Sequence, residues 1–509
     1  MAINNVALRT TLAQLTRMRG DLETLQQQLG SGKKADTYGG LGAQRSLSVS
    51  FRARVAEVES YTSTVDMVGL RVKLMDSTMT RLSAVPNDIR SAIDPNSYVL
   101  RQDGKTDAQK VARIGLDEVI GLLNAQADGR YLFAGTDAET RPVVDLNTML
   151  EGDGSRYGLR RVTEDRLVAD LGVQGMGRLE PSVAGPTATL GLQDPPSDVF
   201  GFKIASFEND LAGTTVAGDE TTGLAVTFSG TPPSAGDTFR LSLTNPDGTS
   251  SSITLTATTA DPPGDGEFAI GGDPDTTAAN FNDVLTRKIR QTAKSDLSAA
   301  SAVQAGREFF DTYGGAMPKR VDAASTDPAD LASATGLRDA TTGDTVQWYR
   351  GSNNPVVDGD PTTQPRNDVK ARIDTNVDIA YGARANEEAF RTLVQSLATV
   401  AVAEFDAAET NDGARYQALM ERSRDALAFD GEAVSPADVH AEIAVAAKVA
   451  TDAKERHQVN KSVMLDMVDG VEGVTMEEVA AQILALRTRM EASYQATARI
   501  SQLSLVNYL

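Results

Sequence analysis

Leu8, Leu15, Leu22 and Leu29 recur every seven residues, with Met18 and Leu25 filling the intervening positions. That is a heptad seam, the pattern that lets helices supercoil against one another. It stops at Gly30-Ser31-Gly32, where glycine tolerates the left-handed backbone of a helix end. A loop through Tyr38-Gly39-Gly40-Leu41-Gly42 follows. Val55, Val58, Val65, Val68, Val72, Met75, Met79 and Leu82 then fall at spacings of three and four. They predict a helix of about 40 residues, roughly 60 Å long and about three times the usual globular length. Pro86 is expected to break or kink it after Val85. A third helix is expected from Asp107, as its cap, through Val111, Leu116, Val119 and Leu123.

Beyond about residue 141 the chain becomes rich in Gly, Pro, Asp and Thr. Leu224, Val226 and Phe228 alternate, as do Phe239, Leu241 and Leu243, then Ile253 and Leu255. Alternation puts each set on one sheet face, and Asn245-Pro246-Asp247-Gly248 reads as the hairpin turn between the last two. A short helix with Phe281, Leu285 and Ile289 is expected next, then a strand near Val303. Helical patterning returns after Ala385, with one stripe at Phe390, Leu393, Leu397 and Val400 and another around Ile443, Val445 and Val449. An acidic break at Asp466–Gly470 precedes a final helix carrying Val479, Ile483, Leu486, Met490, Ile500 and Leu503.

The expected fold is mainly α with a β-rich α+β middle, the long terminal helices of both chain ends forming one coiled-coil rod. Two independent helical domains are the alternative. The expected division is 1–140 and 385–509 for the two helical halves, 141–205 with 311–384 for a β-rich outer domain, and 206–310 for an inserted α+β unit.

The totals narrow the function. With 49 basic against 70 acidic residues, the chain has no basic excess to displace counterions from nucleic acid or to dock on an anionic membrane. Cysteine is absent, which removes disulfides, thiolate metal sites and cysteine nucleophiles. The opening residues lack a basic stretch followed by an apolar one, so any export is expected to use no cleaved signal peptide. No apolar run is long enough to span a bilayer. Motifs for catalysis are missing too: there is no His-Glu-x-x-His and no Gly-x-Ser-x-Gly. Gly104-Lys105-Thr106 has Val99 where a phosphate-binding loop needs glycine. His440 and His457 are expected to be solvated, and the Asp358-Gly359-Asp360 and Asp261–Glu267 loops to be turns, not calcium sites. The expectation is therefore no enzyme, no cofactor and no metal.

Several segments resemble the flagellin-like axial proteins of bacteria, in particular their hook-associated, hook–filament junction branch. Gln28-Leu29-Gly30-Ser31-Gly32-Lys33-Lys34 is similar to the segment after that family's first helix. Asp128-Gly129-Arg130-Tyr131-Leu132-Phe133-Ala134-Gly135-Thr136 resembles the junction-protein signature, here Gly129, Arg130, Tyr131, Phe133 and Gly135. Val346–Gly351, Tyr381–Glu387 and the ending Met490–Gln495 with Ile500–Leu509 look like the family's C-terminal half. Tyr38–Gly42 departs from the Asp-Asp-Pro-Ala type sequence common in the family. The resemblance implies a secreted, extracellular structural subunit that passes a type III export channel unfolded. It also implies self-assembly through axial packing, to which Leu8, Leu15, Leu22, Leu29, Ile483, Leu486, Met490, Ile500 and Leu503 are assigned. The implied partners are further copies of the chain, a neighbouring hook-associated protein, flagellin and an export chaperone. A filament-forming flagellin is the alternative within the family; an adhesin or hydrolase carried by the middle domain is the alternative outside it.

Overall fold

The computed structural model describes residues 2–219, 221–357 and 359–506, with side chains between residues 9 and 499. The helices are α1 (Ala2–Ser31), α2 (Arg45–Ala92), α3 (Asp107–Leu123), α4 (Leu146–Glu151), α5 (Leu159–Leu171), α6 (Pro274–Thr292), α7 (Ser298–Phe310), α8 (Pro328–Ser333), α9 (Glu388–Val402), α10 (Asp412–Ala426), α11 (Pro436–Glu472) and α12 (Met476–Val506). No helix among the described residues is long and apolar enough to cross a membrane. The chain divides into two compact units.

The first unit takes Met1–Gly69, Ala371–Ile379 and Lys448–Leu509. Here α1 and α12 run antiparallel: Lys33 bridges Gly473 at one end, and Arg19 Nη2 donates to Tyr494 Oη further along. Their apolar residues face each other. Leu15 is buried, and Met18, Leu22, Leu25 and Leu29 are half-buried; on α12 Val479, Ile483 and Met490 are buried and Leu486 half-buried. The α12 spacing of four, three, four is the heptad pattern expected of a seam. The partner for the seam is thus the helix of the other chain end, as the one-rod expectation has it. The break before α12 falls later than expected. Val468 and Val471 are buried, so α11 continues through Asp466–Gly470. The turn comes at Gly473, where a Cβ would lie 2.5 Å from the Asp469 carbonyl oxygen.

The second unit takes Leu70–Lys370 and Ala380–Ala447. Within it α2 does not break at Pro86. Proline removes one ladder bond, but Leu82, Val85 and Ile89 bury the face that passes through it, and that burial outweighs one lost bond. The cap of α3 is Thr106, not Asp107: the Thr106 hydroxyl accepts from Gln109 N, and Gln109 Oε1 accepts from Thr106 N at 2.9 Å. Gly115 of α3 lies so close to α2 that a Cβ would sit 2.7 Å from Ile89 Cδ1. The same helix packs on α9, whose Phe390, Leu393, Val394, Leu397 and Val400 are buried.

The strands are β1 (Gln126–Ala127), β2 (Arg130–Tyr131), β3 (Leu179–Ala184), β4 (Thr187–Leu192), β5 (Lys203–Asn209), β6 (Thr214–Asp219), β7 (Gly223–Phe228), β8 (Thr238–Thr244), β9 (Ser250–Thr258), β10 (Glu267–Ala269), β11 (Lys319–Val321), β12 (Leu337–Asp339), β13 (Lys370–Asp374) and β14 (Val377–Ala380). Two four-stranded sheets, β3-β4-β7-β6 and β10-β9-β8-β5, pack with α6 into one core whose buried residues all fall within 176–297, with Leu171 of α5 packed against it. Phe281 of α6 sits at its centre, edge-on to Phe228, Phe239 and Phe268 at 5.3–5.6 Å. An insert beginning at 206 is therefore corrected. That position lies inside β5, and the β3–β4 hairpin shares a sheet with β7. The Asn245–Gly248 turn joins β8 to β9 as expected, with Gly248 N donating to Asn245 O at 3.0 Å. Val303 lies in α7, not in a strand; its Ser/Ala-rich surroundings favour helix.

Candidate assembly surfaces

In the first unit, one carboxylate ties the two helical hairpins together. Glu472, at the end of α11, accepts from Arg52 Nε and Nη2, both at 2.7 Å, and from Ser48 Oγ at 2.6 Å, all on α2. Arg52 chiefly, then Ser48, hold the Glu472 carboxyl at about 2, well under its ordinary value. Backbone bonds close the same end, with Lys34 N donating to Glu472 O at 2.6 Å and Val474 N to Gly32 O at 3.0 Å. The Lys33-Lys34 segment thus joins the α1–α2 connection to the α11–α12 turn.

His457 is not solvated, as the sequence suggested. It is buried on α11, donates Nε2–H to the Ile373 carbonyl at 2.6 Å and stacks on Tyr61. That contact docks the 371–379 hairpin on the helices, and no sequence motif marks it. In the second unit His440 Nε2 lies 2.8 Å from Asp76 Oδ1.

Outside the seam, α11 exposes further apolar residues, interrupted on the same face by Asp452 and Arg456. Val449, Val459, Val463 and Met467 fall within about 80° of one another at 100° per residue. All four are exposed, Val459 at 63 %. Leu12 of α1 and Leu484 of α12 are exposed as well. In the second unit Leu70 and Leu74 of α2 and Val445 of α11 are exposed.

Of the nine residues assigned to axial packing, Leu15, Ile483 and Met490 are buried and Leu22, Leu29 and Leu486 half-buried. The side chains of Leu8, Ile500 and Leu503, and the rest of the ending 500–509, lie outside the described residues.

The second unit brings three separated motifs into one node. Asp128 and Gly129 form a two-residue turn between β1 and β2, with φ of 51° and 72°. Positive φ at both positions is what a tight hairpin of this kind demands, and Asp-Gly supplies it. Phe133 is buried edge-on to Phe390, centroids 5.7 Å apart. Ala385 N donates to Phe133 O at 2.9 Å, Gly135 N to Ala383 O at 3.1 Å, and Ser352 N to Ala134 O at 2.9 Å. At Gly135, φ is +62° and a Cβ would stand 2.0 Å from Ser352 Oγ, so only glycine fits. Trp348, fully buried, donates Nε1–H to Phe310 O at 3.1 Å. Arg130 is exposed and Tyr131 half-buried, so these two are not part of the node's interior.

Arg384 is the hub of this node. Its guanidinium donates to Asp368 Oδ2 at 2.6 Å and Oδ1 at 2.8 Å, and to the Asn354 carbonyl at 2.8 Å. The Arg384–Asp368 pair is legible in sequence only as two charges in a loop-rich stretch.

Among the described residues, no group of His, Asp or Glu is placed to hold a metal ion. Residues 3–138, which span α1–α3 and the Gly129–Gly135 segment, match the bacterial flagellin N-terminal helical region. No curated protein matches the chain.

Proposed function

We propose that the chain is a structural subunit of the bacterial flagellar shaft, and within it a junction protein of the hook-associated protein 3 type that joins hook to filament. The observation that carries the subunit reading is the exposed apolar set Val449, Val459, Val463 and Met467, lying outside a seam already closed by α1 and α12. Covering the part of one such side chain that is still exposed is worth about 1 kcal/mol. Several such contacts repeated between copies supply the drive for assembly.

Axial packing then has two layers. Leu15, Leu22, Leu29, Ile483, Leu486 and Met490 shape the helical pair, and the outer apolar set meets neighbouring copies. The partners are further copies of this chain, a hook-associated neighbour and flagellin, reached after export with a chaperone.

The junction assignment is supported by sequence: the Gly129–Gly135 segment and the ending Gln502–Leu509. Cells lacking the protein should build hooks and shed flagellin monomer into the medium. Immunogold should mark one band just beyond the hook. Gold along the whole filament overturns the junction assignment and favours a flagellin; no gold on flagella at all overturns the shaft reading.

A further inference from the structure

We infer that Arg422 of α10 is a positioning residue that fixes the orientation of the two-sheet module, residues 176–297, on the helices that carry it. The covalent connections to the module converge on one neck. The Gly172–Arg178 turn enters it and a π-helical turn, Ala293–Leu297, leaves it between α6 and α7. The two connections touch, since a Cβ on Gly177 would stand 2.9 Å from the Leu297 side chain. A π turn is a locally weakened helix and commonly marks a functional position.

Arg422 grips the module beside that neck. Its Nε donates to Asp247 Oδ2 at 2.8 Å, its Nη2 to Thr249 Oγ1 at 2.7 Å, and its Nη1 to Ala418 O at 3.0 Å on its own helix. Asp296, within the π turn, lies 3.8 Å from the same guanidinium. One planar cation therefore reads the β8–β9 turn and the neck together, a geometry that lysine cannot reproduce. From α7, Arg307 Nη1 donates to the Asp247 carbonyl at 3.0 Å.

The Asp247 side chain is 1 % exposed. Burying an ion pair returns little net stability, because desolvation offsets the attraction, but it demands one geometry. The core around Phe281 closes without Arg422, so the pair is not needed to fold the module. What it specifies is direction. Separately, Arg178 and Gln193 donate to the Ala332 carbonyl, and Phe200 packs in a small cluster with Ala169 and Leu331. Those contacts tether the module without touching the β8–β9 turn.

The test uses the full chain, which has no native cysteine, with spin labels on Thr259→Cys in the module and Ala414→Cys on α10. With Arg422 present, the inter-label distance should be single and narrow. Arg422→Ala should raise the population of other orientations about tenfold or more, since two charge-assisted hydrogen bonds are lost. Arg422→Lys should recover only part of the narrow distribution. The circular dichroism of Arg422→Ala should stay that of the parent. If Arg422→Ala fails to fold, Asp247→Asn, which keeps the shape of the turn, must show the broadening instead. An unchanged narrow distance in the folded variant overturns the inference, and this readout is independent of where the protein sits on a flagellum.

Discussion

Replacing Arg384 by alanine leaves the Asp368 carboxylate in the interior with no cation beside it. The two side chains are 1 % and 7 % exposed, so water cannot stand in for the lost guanidinium. Breaking a buried pair from one side costs about 3–5 kcal/mol. The Asn354 carbonyl also loses its donor, which adds about 1 kcal/mol. Set against a typical total of about 5–15 kcal/mol, this is a large fraction of a domain's stability. The unfolding midpoint should fall by roughly 5–8 °C for a unit of this size. Trp348 is the only tryptophan and sits buried in the same unit, 5.3 Å by ring centroid from Phe310, so its fluorescence reports this transition. The double variant Arg384→Met with Asp368→Leu should recover most of the loss, because no charge is then left unpaired. A loss below about 1 kcal/mol in Arg384→Ala would refute the claim that this pair holds the node.

Met490→Asp puts a carboxylate into the α1–α12 seam at a buried position; it should cost about 2–4 kcal/mol there and abolish incorporation into flagella, while the Trp348 transition stays put. Glu472 is held at about 2 against an ordinary 4.5, so its contribution is fully present above pH 4.5 and lost as pH falls towards 2. Because Arg52 is partly exposed, that contribution should be about 1 kcal/mol; acid titration of helicity should show it, and Glu472→Gln should be flat across the same window. Excising 176–297 and joining the cut ends with a short Gly/Ser linker should leave a cooperative Trp348 transition, lowered somewhat because Phe200 leaves its small cluster. Loss of all cooperativity would show that the module belongs to the folding core of that unit.

Periodicity alone determined much of this protein. Leu15, Met18, Leu22 and Leu25 at heptad spacing specify an amphipathic helix, and Leu224, Val226 and Phe228 in alternation specify a strand, because side-chain direction follows backbone geometry at short range. Asn245–Gly248 was legible as a turn for the same local reason. Tertiary structure decided what local chemistry leaves open. Pro86 is carried inside α2 because burial of Val85 and Ile89 outweighs one missing hydrogen bond. The β3–β4 hairpin joins the sheet of β7 by long-range pairing, which no boundary drawn from composition can locate. His457 looks like a polar helix residue until the Ile373 carbonyl and the Tyr61 ring are brought to it from distant parts of the chain. Arg384 with Asp368 and Arg422 with Asp247 are the same case. A charge in a sequence is a surface residue by default, and only the fold, by excluding water from both partners, turns a particular pair into a structural joint.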